Sequence, residues 1–240
     1  MKRNYWPRLY QFLLKFVAIL FVGSILLVLL FRVVPVYLTP LMVLRSLEQI
    51  GGDKPVTLKH QWLPLESISK NMALAVICSE DQNFFNHYGI DFKAIQSALK
   101  DSKQGTGRLR GASTISQQTA KNVFLWPSRS WLRKGLELYF TLLIETLWPK
   151  ERILEVYLNS IEMGRGVYGA EAAAHYYFKK TAGDLSRREA AAIAAALPNP
   201  REYPVNPPSS FMQSRISWIL KQMRLFGPLK LNSELKSEVK

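Results

Sequence analysis

Trp131-Leu132-Arg133-Lys134-Gly135-Leu136-Glu137-Leu138-Tyr139-Phe140-Thr141-Leu142-Leu143-Ile144-Glu145-Thr146-Leu147 is the stretch on which the reading of the fold turns. Leu132, Leu136, Tyr139, Phe140, Leu143, Ile144 and Leu147 recur at three- and four-residue intervals, the spacing of one stripe along an α-helix, with Arg133, Lys134, Glu137 and Glu145 off it. Trp126-Pro127-Ser128 interrupts the chain before it, and Pro149 opens a second amphipathic helix bearing Ile153, Leu154, Tyr157 and Leu158. Working outward, Thr114 and Gln117 form a capping box for a helix carrying Gln118 and Lys121, and Ser186 with Glu189 forms another for an alanine-rich helix that Pro198 stops. A helix opening at Leu65-Glu66-Ser67 is expected to run into Glu80, with Ile68, Met72, Ala75 and Val76 at helical spacing. Asp91 reads as the N-cap of a helix with Phe92, Ile95, Ala98 and Leu99 on one face. Asp101 to Gly111 reads as a mobile polar loop, Gly164, Gly166 and Gly169 punctuate a second loop, and Phe211–Phe226 is the last helix. No internal repeat and no alternating strand series appears. The fold class is mainly α.

The N-terminal part has a different character. Lys2, Arg3, Arg8 and Lys15 precede an apolar run from Phe16 to Phe31. With its flanks, Leu9 to Tyr37, it is long enough for a hydrocarbon core of about 30 Å, which takes roughly 20 residues. The positive flank places the N-terminus in the cytoplasm. No small-residue cleavage site follows, so the run reads as an uncleaved anchor rather than a signal peptide. The expected organisation is a cytoplasmic N-terminus over 1–11, a transmembrane helix over 12–34, a linker over 35–54, a folded domain over 55–229 and a charged tail over 230–240.

The 240 residues give room for one anchor and one domain with a sizeable core. A net charge of +14 favours polyanionic partners: nucleic acid, an anionic membrane surface or a phosphorylated substrate. The anchor and its orientation argue against nucleic acid. Cys78 is the only cysteine, which excludes an intramolecular disulfide, and within Ala73-Leu74-Ala75-Val76-Ile77 it reads as a small core residue. His60, His87 and His175 lie too far apart for a zinc motif.

Chemistry concentrates between Ser79 and Asn122. Glu80 and Asp81 stand beside Phe84, Phe85 and His87, followed by a segment dense in hydroxyls and amides that ends at Lys121-Asn122. A glutamate against aromatic rings is partly desolvated, and its pKa rises toward the range useful for proton transfer. Taken alone, His87 reads as a hydrogen-bonding structural residue, and Glu137 as the (i, i+4) partner of Arg133. Lys121, Arg129, Arg133, Lys134 and Lys150 make either a solvated basic face or, if they converge, a phosphate clamp.

Glu80-Asp81-x-x-Phe84-Phe85-x-His87-x-Gly89, then Gly111 to Gln118 with Lys121-Asn122, then Arg133-Lys134-x-x-Glu137, and finally Lys150-x-x-Ile153-Leu154-Glu155-x-Tyr157-Leu158-Asn159 with Gly164 and Gly169-Ala170 follow in order. This series resembles the signature motifs of the family 51 peptidoglycan glycosyltransferases over roughly Glu80 to Ala174. With one anchor and no further domain it is similar to the monofunctional members rather than to bifunctional penicillin-binding proteins. The resemblance implies a lysozyme-like helical domain with a small membrane-proximal lobe. It implies polymerisation of lipid II into glycan strands by inverting β-1,4 transfer, with release of undecaprenyl diphosphate. Glu80 would be the base acting on the acceptor 4-hydroxyl, and Glu137 would serve the donor side. Asp81, Phe85, His87, Ser113, Thr114, Gln117, Gln118, Lys121, Asn122, Arg129, Arg133, Lys134 and Lys150 would hold sugars and diphosphates. Ser97 stands where some members carry arginine, a contact then absent or supplied by Arg108 or Arg110.

No cofactor is implied as required, and metal dependence varies in the family, so magnesium or manganese at the diphosphate is compatible with the resemblance. The implied partners are lipid II, the growing undecaprenyl-diphosphate-linked glycan, the membrane, and cell-wall synthesis or division proteins, but no nucleic acid. The implied location is the cell inner membrane, single-pass, with a periplasmic catalytic domain. Alternatives from other classes are a lysozyme-like hydrolase, which needs no basic clamp, and a non-catalytic tethered cell-wall binding protein. Ser67-x-x-Lys70 and Ser97-x-x-Lys100 match the S-x-x-K pattern of transpeptidases, yet no Lys-Thr-Gly follows.

Overall fold

The computed structural model describes residues 6–50, 55–103, 113–128 and 130–229, with side chains described except at 6–8 and 98–103. The chain divides into two units, residues 1–35 and 36–240. The first is helix α1, Trp6–Phe31, of which Leu9–Phe31 is long and apolar enough to cross a membrane. Most of its apolar side chains, among them Phe16, Ile19, Leu20 and Leu26, are exposed. The core helix of a soluble protein would bury them.

Among the described residues, the regular structure of the second unit is helical apart from one small sheet. Its centre is α3, Lys70–Glu80, buried without interruption from Met72 to Cys78. No charged residue interrupts Asn71 to Ser79, so the helix is apolar all round and must be enclosed. α9, Arg187–Ala196, and α10, Ser210–Phe226, pack against it. Residues 190–196 are all buried, and the six alanines among them let α9 lie close to α3. Ser186 and Glu189 close the expected capping box. Cys78 is a core thiol, pushed up to about 11 by burial.

Several sequence expectations change. Leu65–Ser67 is a separate 3-10 turn, and α3 begins after Ser69, whose hydroxyl accepts from the Asn71 amide. The stretch 35–54 contains α2, Pro40–Ile50, with Met42 buried; α2 packs on α5, Ile115–Phe124. Asp91 does cap α4, Phe92–Lys103, through its Oδ1 to the Ala94 amide. However, Phe92 is exposed, and the stretch read as a loop begins with three helical residues, 101–103; the remainder, with Arg108 and Arg110, lies outside the described residues. Finally, the described residues include three strands: β1 (Lys59–His60), β2 (Glu162–Gly164) and β3 (Val167–Tyr168), in the order β1-β3-β2, with β1 parallel and β2 antiparallel to β3. Strands of two or three residues are too short to leave an alternating pattern.

The stretch that defined the fold class is helix α6, Trp131–Leu147, packed on α5. The buried line along it is Glu137, Thr141 and Ile144, continuing to Trp148. Leu132, expected at the core, is 71% exposed. Phe140 is half-buried and stacks on Phe124 of α5, ring centroids 4.6 Å apart. The helix is apolar around most of its circumference, so the pattern fixes helicity without fixing which line faces inward. Next comes α7, Lys150–Ser160, buried from Val156 to Ser160, and then α8, Ala170–Phe178.

Candidate active site

Glu80 is the last residue of α3, where unpaired helix carbonyls carry partial negative charge. Burial pushes its carboxyl above the usual glutamate range, opposed by hydrogen bonds from Gln118 and Ser79 and by the charges of Arg215 and Lys121. Gln118 Nε2 donates to Glu80 Oε2 at 2.9 Å, and Ser79 Oγ donates to Oε1 at 3.2 Å. The far side of the Gln118 amide is also held: Tyr157 of α7 donates its hydroxyl to Gln118 Oε1 at 3.2 Å. Tyr157 is fully buried, and burial followed by the charges of Glu80 and Asp81 keeps its proton on well above the usual tyrosine range.

Asp81, predicted at the substrate, is buried and hydrogen-bonded within the protein. It accepts from His87 Nε2 at 2.9 Å and from the Ile115 amide, the first residue of α5, at 3.0 Å. His87 Nδ1 accepts from the Gly89 amide, which orients the ring with Nε2 toward Asp81. Thr114 and Gln117 are spent in the expected capping box, and the Thr114 hydroxyl donates to the Gly89 carbonyl at 2.6 Å. Phe85 packs edge-on against Phe84. Lys150 donates to Glu145 at 2.8 Å and to the His87 carbonyl at 2.6 Å, over the Phe84 ring; Ser116 bonds the same Glu145 oxygen. These contacts hold the start of α5, and with it Gln118, against the end of α3.

Lys121 lies one turn beyond Gln118 and makes no hydrogen bond or ion pair among the described residues. Burial lowers its ammonium below the usual lysine value, with Arg133 and Lys134 adding to that, while Glu137 and Glu80 raise it. Its charge couples to both glutamates. Glu137 is buried and fully paired, with Arg133 Nη1 at 2.9 Å and Lys134 Nζ at 2.5 Å. The expected Arg133 pair exists, and it belongs to the same electrostatic cluster as Lys121. Arg129 lies outside the described residues.

Two cavities flank this cluster. One of about 260 Å³ is lined by Glu80, Asp81, Asn83, Asp91, Ser113 and Trp218. The other, about 600 Å³, takes in Gln118, Lys121, Asn122, Ser128, Arg133 and, from α2, Arg45. The carboxylate thus sits between a neutral-to-acidic space and a basic one. Sequence reasoning missed Arg45 and Trp218, which lie outside the motif stretch, and gave Tyr157 no role at the site. In the basic cluster Glu137 offers no free oxygen to a divalent ion, since Arg133 and Lys134 occupy both. Among the described residues no three His, Cys, Asp or Glu side chains cluster.

A proton acceptor beside a cavity of cationic and N–H donors is the apparatus of group transfer from an anionic leaving group. In agreement, the family model described as Transglycosylase matches residues 46–224. The chain is 54% identical over 228 residues to a biosynthetic peptidoglycan transglycosylase of Chromohalobacter salexigens, covering 95% of this chain and 97% of that one. It is 52% identical over 221 residues to the protein of that name from Bdellovibrio bacteriovorus, covering 92% and 88%. To that of Pseudomonas putida strain F1 it is 53% identical over 220 residues, covering 92% and 91%. The chain belongs to the transglycosylase family, and its helical domain is of the lysozyme-like class.

Proposed function

We propose that this protein, a peptidoglycan glycosyltransferase of cell wall synthesis, uses Glu80 to deprotonate the 4-hydroxyl of a lipid II acceptor. That oxygen attacks the anomeric carbon of the growing glycan, with inversion and formation of a β-1,4 bond. The bond to the diphosphate breaks, and its electron pair leaves with undecaprenyl diphosphate. The observation that carries this reading is the hydrogen bond from Gln118 to Glu80, because Gln118 and Lys121 line a cavity rich in N–H donors while Glu80 lines the neighbouring one. A raised carboxyl is matched to proton abstraction from a hydroxyl, and a diphosphate departs readily once cations receive its charge. Lys121, Arg133 and Lys134 supply that charge, and Glu137 keeps the last two in place.

α1 serves as the anchor, with the N-terminus in the cytoplasm and the catalytic unit on the periplasmic side of the inner membrane, where lipid II presents its sugars. Cell-wall or division proteins would recruit the enzyme there. Magnesium or manganese would bind only through oxygens of the diphosphate itself, and no step needs it.

The test is polymerisation of labelled lipid II by the full-length protein in detergent, wild type beside Glu80→Gln. Glycan strands from the wild type and a loss of about 10²–10⁴-fold in the folded mutant are expected, the usual range for removal of a general base. Equal activity would overturn the role of Glu80.

A further inference from the structure

Resting on the glycosyltransferase reading, we infer that Arg45 on α2, outside all of the motif segments, is a further binding residue for the lipid-linked diphosphate. Among the described residues, five buried side-chain atoms have no hydrogen-bond partner: Arg45 Nε, Asn122 Nδ2, Ser128 Oγ, Arg133 Nε and Tyr168 OH. The first four belong to residues lining the 600 Å³ cavity. Buried polar atoms are almost always bonded, so their concentration around one space marks where a ligand completes them. Three of the four are N–H groups, which only an acceptor satisfies, and Lys121 adds an ammonium with no hydrogen bond or ion pair among the described residues. Phosphate oxygens accept and never donate, and a guanidinium suits them in shape and charge.

Arg45 is built for this position. Its Nη1 donates to Glu48 Oε2 at 2.7 Å, one turn along α2, which fixes the guanidinium while leaving Nε open. α2 packs on α5, the helix that carries Lys121 and Asn122. Two carboxylates also border the cavity, and both are engaged: Glu162 by Arg201 at 3.2 Å and by the Gly166 amide, Glu48 by Arg45. At rest the α2 side of the cavity is therefore charge-balanced, and an incoming anion competes with Glu48 for Arg45. A phosphate could come from the substrate or from an anionic membrane lipid. The substrate is favoured because Gln118, which lines the same cavity, is bonded to Glu80, so an anion held there lies beside the base.

Initial rates against lipid II concentration, with full-length protein in neutral detergent, test the assignment. Arg45→Gln is expected to raise KM about tenfold, as the loss of one charge-assisted hydrogen bond to the bound diphosphate. Arg45→Lys, which keeps the charge and loses the fork, falls between. Glu48→Gln separates binding from helix stapling: a merely structural pair predicts the same rise as Arg45→Gln, whereas the inference predicts none. A wild-type KM in Arg45→Gln, or an equal rise in Glu48→Gln, overturns it. So does an Arg45→Gln protein with unchanged KM that no longer sediments with phosphatidylglycerol vesicles, which would assign Arg45 to the bulk lipid. Inactive Glu80→Gln alongside unchanged Arg45→Gln would remove Arg45 alone and leave the function standing.

Discussion

A carboxylate at the end of a buried helix is disfavoured twice, by lost hydration and by the carbonyls behind it, and Glu80 occupies that position. Its folded-state pKa is raised, so the native protein holds this proton more tightly than the unfolded chain. The associated stability is complete below the ordinary glutamate range and is lost as pH rises through the folded value. Glu80→Gln should therefore raise Tm at pH 7, and the gain should shrink as pH falls from the folded value toward the ordinary glutamate range and be gone below it; melting curves across that window check it. Tyr157 controls the same group at one remove. Without its hydroxyl, Gln118 Oε1 loses its donor and the amide is free to turn its oxygen toward Glu80. The charges facing Glu80 are Lys121 from α5 and Arg215 from α10, with Asp81 next in the chain; α9 presents buried alanines. Tyr157→Phe leaves those unchanged, so it should shift the acid limb of the kcat–pH profile upward and lower kcat about tenfold, while stability falls by only about 1 kcal/mol. A profile that does not move would assign Tyr157 to packing.

At the scale of elements, the site depends on one short connection. Gly89 has φ +80°, and a Cβ there would lie 2.6 Å from Thr141 Cγ2 and 3.1 Å from Glu145 Cγ, both on α6. Its carbonyl also accepts the Thr114 cap of α5. Gly89→Ala meets both a steric and a backbone penalty and should destabilise the protein by roughly 1–3 kcal/mol, measurable in a urea melt. The elements themselves were legible in different degrees. Capping boxes at Thr114 and Ser186 were readable because each is a local contract between residues three apart. The start of α3 was misplaced because the 3-10 turn Leu65–Ser67 has the same apolar content as a first helical turn. The inward line of α6 was misread because its buried face carries Glu137 and Thr141, polar groups satisfied by Arg133, Lys134 and the Glu137 carbonyl.

At the scale of the molecule, the chain is an apolar helix followed by a helical domain, and part of the excess positive charge, Lys121, Arg133 and Arg45, borders one cavity. By itself the sequence determined the helical class, the helix long enough to cross a membrane, and the ordered motifs that identify the family. All of these are properties of neighbours along the chain. Only the tertiary structure decided that Asp81 and His87 brace the start of α5, that Tyr157 orients Gln118, and that an arginine from α2 lines the cavity with Lys121. Those roles depend on which donor finds which acceptor across dozens of intervening residues, and periodicity holds no record of that pairing.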